Sequence, residues 1–337
     1  MGPTFSTVQS TAPDNPSPGG TSGRCRVKIS RQAAAGLVAV LFVLTVVLFA
    51  LNLAFNFDSS RSAILGEEVK SVGKVSDKYD TPITPAGSAF AIWGVIYLWN
   101  TLLLVFALYD AFMPLVCGFR IGRRRHQDEG DQTGAFDKHL LTPLFYVSYS
   151  LACVSNAVWV YVWTNEMLGL SVLFLLFVNI GLWGAIAAVF WKGRSVPEPC
   201  NCNFDAFTFH ALVVNGLFIY ATWVVVALLL NLISWVTYDL ETLSAERMAT
   251  VSLSILICAV ALWFAARVVL LRGQFLTLCL FTDFAVLLWA LSWSLHRNYD
   301  AGSTNTILTI APLVLIGVCF ILYTCLWLFV LASERRG

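Results

Sequence analysis

Thr84–Asn100 reads TPAGSAFAIWGVIYLWN, a turn-forming entry followed by an apolar segment without a charge. Pro85 and Gly87 favour a turn at its start. Beyond the turn, aromatic side chains and one amide recur at spacings of three and four residues: Phe90, Trp93, Tyr97 and Asn100. That spacing places them on one face of an α-helix. Such a face is either a helix-packing surface or the wall of a ligand pocket, and periodicity alone does not decide between the two.

The composition is that of a membrane protein. Of the 337 residues, 58% are hydrophobic and only 12% are charged, whereas soluble domains carry about 25% charged residues. The formal net charge of +1 gives no indication of a nucleic-acid partner. The N-terminal stretch is rich in Ser, Thr, Pro and Gly, which predicts a disordered tail over residues 1–32.

Eight segments are apolar and long enough to cross the bilayer, which takes about twenty helical residues for about 30 Å of hydrocarbon. They are Ala33–Phe55, Pro85–Phe112, Pro143–Trp163, Leu168–Trp191, Phe207–Trp235, Val251–Leu270, Phe275–Leu295 and Ile307–Leu331. The sequence therefore predicts an all-α integral membrane protein with eight transmembrane helices. The predicted parts are the first five spans (33–235) with an outward loop (56–84), a second outward loop (236–250), the last three spans (251–331) and a tail (332–337).

Lysine and arginine are distributed unevenly between the two sides of this predicted membrane. Six lie on one side: Arg61, Lys70, Lys74, Lys78, Arg247 and Arg297. The other fifteen of the 21 lie on the opposite side, which predicts that both termini are cytoplasmic. None of the nine cysteines falls in an outward loop, so no structural disulfide is expected. Cys200 and Cys202 lack the spacing of zinc modules, so no metal site is expected.

Polar side chains inside the apolar spans are the best pointers to function, because such groups are costly in lipid. Most are single residues typical of interhelical hydrogen bonding: Asn100, Asn156, Asn179, His210, Asn215 and Asn231. Asp283 differs because it is an acid about eight residues into its predicted span, roughly 12 Å from the end. It is protonated, or paired with His210 or Asn215 on a neighbouring helix, or coupled to a proton or cation.

Three predicted spans bring tryptophan to a similar depth. Trp93, Trp159 and Trp223 lie roughly 10–18 Å below the outer ends of their helices. Each has a tyrosine or an asparagine nearby in sequence, namely Tyr97, Asn156 and Tyr220. An aromatic cavity with amides and hydroxyls, capped by the outward loop, suits a flat apolar molecule with a polar edge. Interfacial aromatic belts lie at the membrane surface and do not account for rings at this depth.

These residues resemble the tryptophan-rich sensory protein and translocator protein family (TspO/MBR), in particular its longer branch. Residues 84–97 are similar to that branch's T-P-A-G-x-x-F-x-I-W-x-x-I-Y motif. Residues 156–159, NAVW, resemble the asparagine–tryptophan pair of the family's third helix, and residues 220–223, YATW, resemble its fifth-helix signature. The three motifs occur in the family's order, and the resemblance covers roughly residues 33–235.

The resemblance implies a five-helix bundle that binds porphyrins, sterols or related flat apolar ligands in a pocket opened or closed by the first loop. The ligand-binding residues that it implies are Phe90, Trp93, Tyr97, Asn156, Trp159, Tyr220 and Trp223. No cofactor is expected beyond such a ligand, and the sequence leaves a homodimer open. No catalytic motif is present, so the protein is not expected to be an enzyme.

Two other functions stay open at this point. One is a secondary transporter or receptor for a small solute, with Asp283 as the coupling or recognition residue. The other is a structural membrane protein without a ligand. The sequence does not indicate which cellular membrane the protein occupies.

Overall fold

The computed structural model describes residues 31–66, 70–116, 139–193, 208–270 and 280–334. The regular structure within these ranges is helical throughout. The α-helices are α1 (Arg31–Asn56), α2 (Asp58–Leu65), α3 (Val72–Lys78), α4 (Ile92–Val116), α5 (Pro143–Thr164), α6 (Leu168–Gly193), α7 (Asn215–Ser234), α8 (Ala245–Leu270), α9 (Thr282–Asn298) and α10 (Thr304–Glu334). The predicted disordered tail and most of the basic residues expected on the cytoplasmic side lie outside the described residues.

Seven helical segments of the described chain are long and apolar enough to cross a membrane. They are Ala33–Asn56, Gly87–Phe112, Pro143–Thr164, Leu168–Lys192, Phe209–Asp239, Ala245–Arg267 and Thr304–Cys325. Each coincides with one of the predicted spans. The predicted span Phe275–Leu295 corresponds to α9, which has 17 residues and a length of about 25 Å at 1.5 Å per residue. The all-α class is therefore confirmed, and the count of eight spans is not.

Local sequence explains where several helices begin. Thr142 caps the N-terminus of α5 by accepting a hydrogen bond from the backbone N–H of Phe145, and Pro143 occupies the first turn, where its missing N–H is harmless. A turn over residues 81–84, in which the Thr84 N–H donates to the Thr81 carbonyl at 3.0 Å, precedes the T-P-A-G entry. A 3₁₀ turn, Gly87–Ala91, then leads into α4.

Small residues allow the closest helix contacts. Gly181 of α6 lies so near α5 that an added Cβ would be 2.7 Å from the Ala152 nitrogen and from the Ser148 carbonyl oxygen. Gly216 of α7 lies against the indole of Trp99, whose Nε1 donates to the Ala211 carbonyl at 3.0 Å. Close approach at small residues is the usual basis of helix association in membranes.

Helix α7 lies at the centre of the packing. It contacts α4, α6, α8 and α9, and it is continued at both ends by π-helical turns, Phe209–Val214 and Trp235–Asp239. α1 packs on α5, α5 packs extensively on α6, and α10 packs on α8 and α9. Residues projecting from α4, α5 and α7 therefore meet in the interior next to α6.

Candidate functional site

Trp93 of α4 is the centre of a cluster of aromatic rings. It stacks on Tyr97, with ring centroids 5.8 Å apart, and on Trp159 of α5, with centroids 5.7 Å apart. Tyr220 and Trp223 of α7 meet the same indole edge-on, with centroids at 6.0 and 6.4 Å. Both arrangements are favourable geometries for aromatic pairs. The three helices that carry the sequence motifs thus bring their rings to one place.

A cavity of about 430 Å³, including the space at its mouth, lies beside this cluster. Its walls contain Phe90, Trp93, Trp159, Trp163, Trp223 and Asn231, and its roof contains Val72, Ser76, Tyr79 and Thr84 of the first loop. Tyr97 and Tyr220 are not among the lining residues but pack against Trp93, and Asn156 lies next to Tyr97. The seven residues predicted from sequence therefore form two layers, with four of them on the cavity wall.

Asn231 of α7 fixes the orientation of the cavity wall. Its side-chain oxygen accepts hydrogen bonds from Trp159 Nε1 at 3.2 Å and from the Ser171 hydroxyl at 2.7 Å. Its side-chain nitrogen donates to the Ala227 carbonyl. One amide therefore joins α5, α6 and α7. The sequence identified Asn231 as an intramembrane polar residue but did not include it in the site.

Several buried polar atoms in and around the cavity are left without a partner among the described residues. They include Nε1 of Trp223, whose ring lines the cavity, the side-chain oxygen of Asn156 and the hydroxyl of Tyr220. A buried donor or acceptor without a partner costs about 1–3 kcal/mol. Such atoms can be satisfied by a bound molecule or by ordered water.

Asn52 of α1 was missed by the sequence analysis. It is buried, and its side-chain oxygen accepts a hydrogen bond from Asn156 Nδ2 at 2.7 Å. The same Asn156 nitrogen donates to the Tyr97 hydroxyl at 3.1 Å. The signal that could have found Asn52 is the one used for the other asparagines, since it is a lone amide near the end of the first apolar span.

The first loop, residues 57–86, is fastened to α5 and to the turn that follows α5. Trp163 Nε1 donates to the Val72 carbonyl at 3.2 Å. The Glu166 carboxylate forms salt bridges with Lys70 at 2.5 Å and with Lys78, and it accepts a hydrogen bond from the Tyr79 hydroxyl at 3.0 Å. The hydrogen bonds from Lys70 and Lys78 lower the pKa of the Glu166 carboxyl to about 2. The carboxylate is therefore ionised throughout the physiological range.

The other side of the loop is held by α9. Arg297 forms ion pairs with Asp77 at 2.7 Å and with Asp80 at 3.2 Å. The Ser294 hydroxyl and the Asn298 amide donate to the carbonyls of Ile83 and Thr84 at 2.9 and 2.8 Å. Further along the entry to α4, Trp289 Nε1 donates to the Ala89 carbonyl and the Ala86 N–H donates to the Trp293 carbonyl.

Among the described residues that line the aromatic cavity, none belongs to α8, α9 or α10. Helix α9 holds the roof of the cavity and supplies none of its wall.

The structure corrects the expected surroundings of Asp283. The residue lies in the first turn of α9, and its carboxylate pairs with Arg267 at 2.7 Å, with exposures of 4% for Asp283 and 1% for Arg267. Trp263 Nε1 donates to the same carboxylate oxygen at 2.8 Å. The partners are therefore residues of α8 and not His210 or Asn215. Arg267, which the sequence assigned to the cytoplasmic surface, is buried.

The Arg267–Asp283 pair is embedded in a rigid contact of three helices. The guanidinium carbon of Arg267 lies 4.7 Å from the ring centroid of Phe284 and 4.4 Å from that of Tyr323. Arg267 also donates to the Leu280 carbonyl. A buried acid with this many partners is typical of a structural ion pair. This arrangement favours structural pairing over ion coupling at Asp283.

A second buried acid, Asp110, was not singled out from the sequence. Its two carboxylate oxygens accept the backbone N–H groups of Leu140 and Leu141 at 2.8 and 2.9 Å, just before α5. His139 Nδ1 lies 3.1 Å from the Asp110 carbonyl. These contacts fasten the end of α4 to the start of α5 at the end of the molecule opposite the first loop. Cys200 and Cys202 lie outside the described residues.

A comparison with protein-family models decides the family. The model described as TSPO-like protein matches residues 40–327. The chain belongs to the TSPO-like family. No curated protein and no solved structure gave a match.

The family assignment confirms the resemblance predicted from the motifs and extends it. The match runs from α1 into α10, whereas the resemblance from sequence ended near residue 235. The residues matched by the family model therefore include helices α8 and α9. Together with the apolar helices, the family makes the protein a multi-pass integral membrane protein.

Proposed function

We propose that the protein binds a flat apolar ligand of the porphyrin or sterol type in the aromatic cavity. The observation that carries this proposal is the unpartnered indole N–H of Trp223 on a wall that also carries the rings of Phe90, Trp93, Trp159 and Trp163. The rings offer stacking surfaces, and the N–H offers one donor to a carbonyl, carboxylate or hydroxyl oxygen. A ligand that has a flat ring system and such an oxygen gains binding free energy from stacking and from the hydrogen bond.

The size of the cavity supports a ligand that moves the first loop when it enters. Of the about 430 Å³ at this site, only about 30 Å³ is open to the centre of a water-sized molecule, far less than the about 300–1,000 Å³ that is usual for ligand sites. The rings of Trp93, Tyr97 and Trp159 stack on one another next to it. We therefore infer that the loop opens to admit the ligand and closes over it, with Glu166 as the attachment on one side.

The orientation follows from the same proposal together with the charge distribution. With both termini cytoplasmic, the first loop and its ion pairs lie on the outer face, and the cavity opens toward that face. We propose that α1 and α4–α7 form the ligand-binding bundle and that α8–α10 form a C-terminal segment that supports its roof. Sensing or movement of the ligand would follow from the loop's opening and closing, and no catalytic step is part of the proposal.

Quenching of tryptophan fluorescence by protoporphyrin IX and by a sterol analogue tests the proposal. Trp93→Leu removes the stacking surface, and Trp223→Phe keeps a ring but removes the N–H. We expect Trp223→Phe to weaken binding by about 2- to 10-fold, the value of one neutral hydrogen bond, and Trp93→Leu to weaken it further. Trp191→Leu is the matched control because Trp191 is 78% exposed on α6. Affinity that is unchanged in both cavity variants for both ligands refutes the assignment.

A further inference from the structure

A second cavity lies between α7, α8, α9 and the end of the first loop. Counting the space at its mouth and the gaps between its lining side chains, it spans about 370 Å³, of which about 30 Å³ is open to the centre of a water-sized molecule. Its lining residues include Leu230 of α7, Ser252 and Leu256 of α8, and Leu291 of α9. Leu230 also lines the aromatic cavity, so one side chain separates the two spaces. The second cavity depends on α8 and α9, which do not contribute to the first.

Ser252 is the polar feature of this cavity that lacks a partner. It is 1% exposed, and its hydroxyl makes no hydrogen bond to any described residue. Its neighbours on α8 behave differently: the hydroxyls of Thr250 and Ser254 donate to the carbonyls four residues earlier, at 3.0 and 2.8 Å. That bond is the usual way for a helical serine to be satisfied in an apolar interior. Ser252 is instead left with a free hydroxyl at the cavity wall.

The character of the wall distinguishes its ligand from that of the aromatic cavity. Apart from Ser252 and Ser294, whose hydroxyl is already engaged by the Ile83 carbonyl, the lining is aliphatic. None of the described lining residues is aromatic, so there is no flat surface on which a ring system could stack. An aliphatic cleft with one hydrogen-bonding group suits a flexible hydrocarbon chain with one oxygen.

The surrounding bilayer is the source of such a molecule. The opposite face of α8 exposes large aliphatic side chains, including Val251, Ile255 and Leu262, which is the face that a transmembrane helix presents to lipid. We propose that the second cavity binds a hydrocarbon chain ending in one oxygen, as in a fatty alcohol or a fatty acyl group, with that oxygen hydrogen-bonded to Ser252. The site does not require a ligand in the aromatic cavity.

A photoactivatable fatty alcohol with a diazirine in the middle of its chain tests the proposal on the full-length protein in nanodiscs. We expect labelling of peptides around Leu230, Ser252 and Leu291 that is saturable and is competed by unlabelled fatty alcohol. Ser252→Ala should reduce the apparent affinity by about 2- to 10-fold, the value of one hydrogen bond. Ser254→Ala is the matched control, because Ser254 is exposed on the same helix and bonds to its own backbone.

Ala290→Phe provides a second variant, since Ala290 lines the cavity and a larger side chain fills it. It should abolish saturable labelling and leave quenching by protoporphyrin IX unchanged. If Ala290→Phe does not fold, the comparison of Ser252→Ala with Ser254→Ala decides. Ser252→Ala should also melt no lower than the wild type without the alcohol, because it removes an unpartnered buried hydroxyl. Labelling that does not saturate, or that is equal in the two serine variants, overturns the proposal, whatever the outcome of the porphyrin measurements.

Discussion

Replacement of Gly181 by alanine tests how closely α5 and α6 must approach. An added Cβ would lie 2.7 Å from the Ala152 nitrogen and the Ser148 carbonyl oxygen and 3.0 Å from the Ala152 Cβ. Two of these three atoms belong to the backbone of α5, so no side-chain rotation relieves the contact. Ordinary contact begins at 3.4 Å, and α5 must therefore move away from α6 by about 0.7 Å at this point.

The expected magnitude follows from that displacement. Overpacking of a well-packed interior costs about 1–3 kcal/mol, and alanine recovers up to about 1 kcal/mol through its higher helix propensity. We expect Gly181→Ala to lower the free energy of unfolding by about 1–2 kcal/mol. Trp159 lies seven residues further along α5, about 10 Å away, and its stacking on Trp93 should loosen. Ligand affinity should therefore fall together with stability.

The assay is unfolding in mixed micelles by titration with dodecyl sulfate, followed by far-ultraviolet circular dichroism, with protoporphyrin IX quenching on the same samples. Gly94→Ala is the control, because an added Cβ at Gly94 of α4 meets nothing within 4 Å. Gly94→Ala should be neutral or slightly stabilising. Equal stability of the two alanine variants would refute the helix contact described here.

Three further perturbations have specific expected results. Arg267→Met or Asp283→Leu alone leaves one buried charge unpaired and should reduce the free energy of unfolding by about 3–5 kcal/mol. The double variant should recover most of that loss. If the double variant still exchanges ligand, ion coupling through Asp283 is excluded. Glu166→Gln removes the ionic attachment of the first loop, so stopped-flow quenching should show faster ligand exchange at neutral pH. The pKa of Glu166 is lowered in the folded protein, so in the wild type the ionic attachment is present above the ordinary carboxyl pKa and is lost as pH falls toward about 2. Ligand exchange should therefore become faster over that acid range in the wild type and not in Glu166→Gln. Leu230→Ala joins the two cavities, and protoporphyrin IX and the fatty alcohol should then exclude one another, whereas the wild type should hold both at once.

Much of the fold could be predicted because lipid imposes a simple rule on sequence. An apolar helix of about twenty residues is needed to cross the bilayer, and seven predicted spans coincide with helices. The exception is α9, whose window was drawn from Phe275 on hydropathy alone. The helix runs from Thr282 to Asn298 and ends in His296 and Arg297. The last turn of α9 is polar because its side chains bind the first loop, and hydropathy does not reveal this role.

The aromatic cluster was predictable, but its partners were not. Spacings of three and four residues placed Trp93 and Tyr97 on one face, and the order of the spans brought Trp159 and Trp223 to the same level. Which polar group pairs with which depends on helix crossings, which sequence spacing does not contain. Arg267 therefore looked like a surface cation at the end of a span, and its pairing with Asp283 could not be inferred.

The first loop is attached to two separate parts of the molecule, to Glu166 after α5 and to Arg297 at the end of α9. Any ligand that shifts the loop must therefore also change its contacts with α9. If a ligand binds in the aromatic cavity as proposed, its binding is thermodynamically linked to any binding at the α9 end of the molecule. Consider a second molecule that binds more tightly to one position of Arg297. It changes the protein's affinity for the cavity ligand by some factor, and the cavity ligand changes the protein's affinity for the second molecule by the same factor. The loop would thereby couple the aromatic cavity to the C-terminal end of α9.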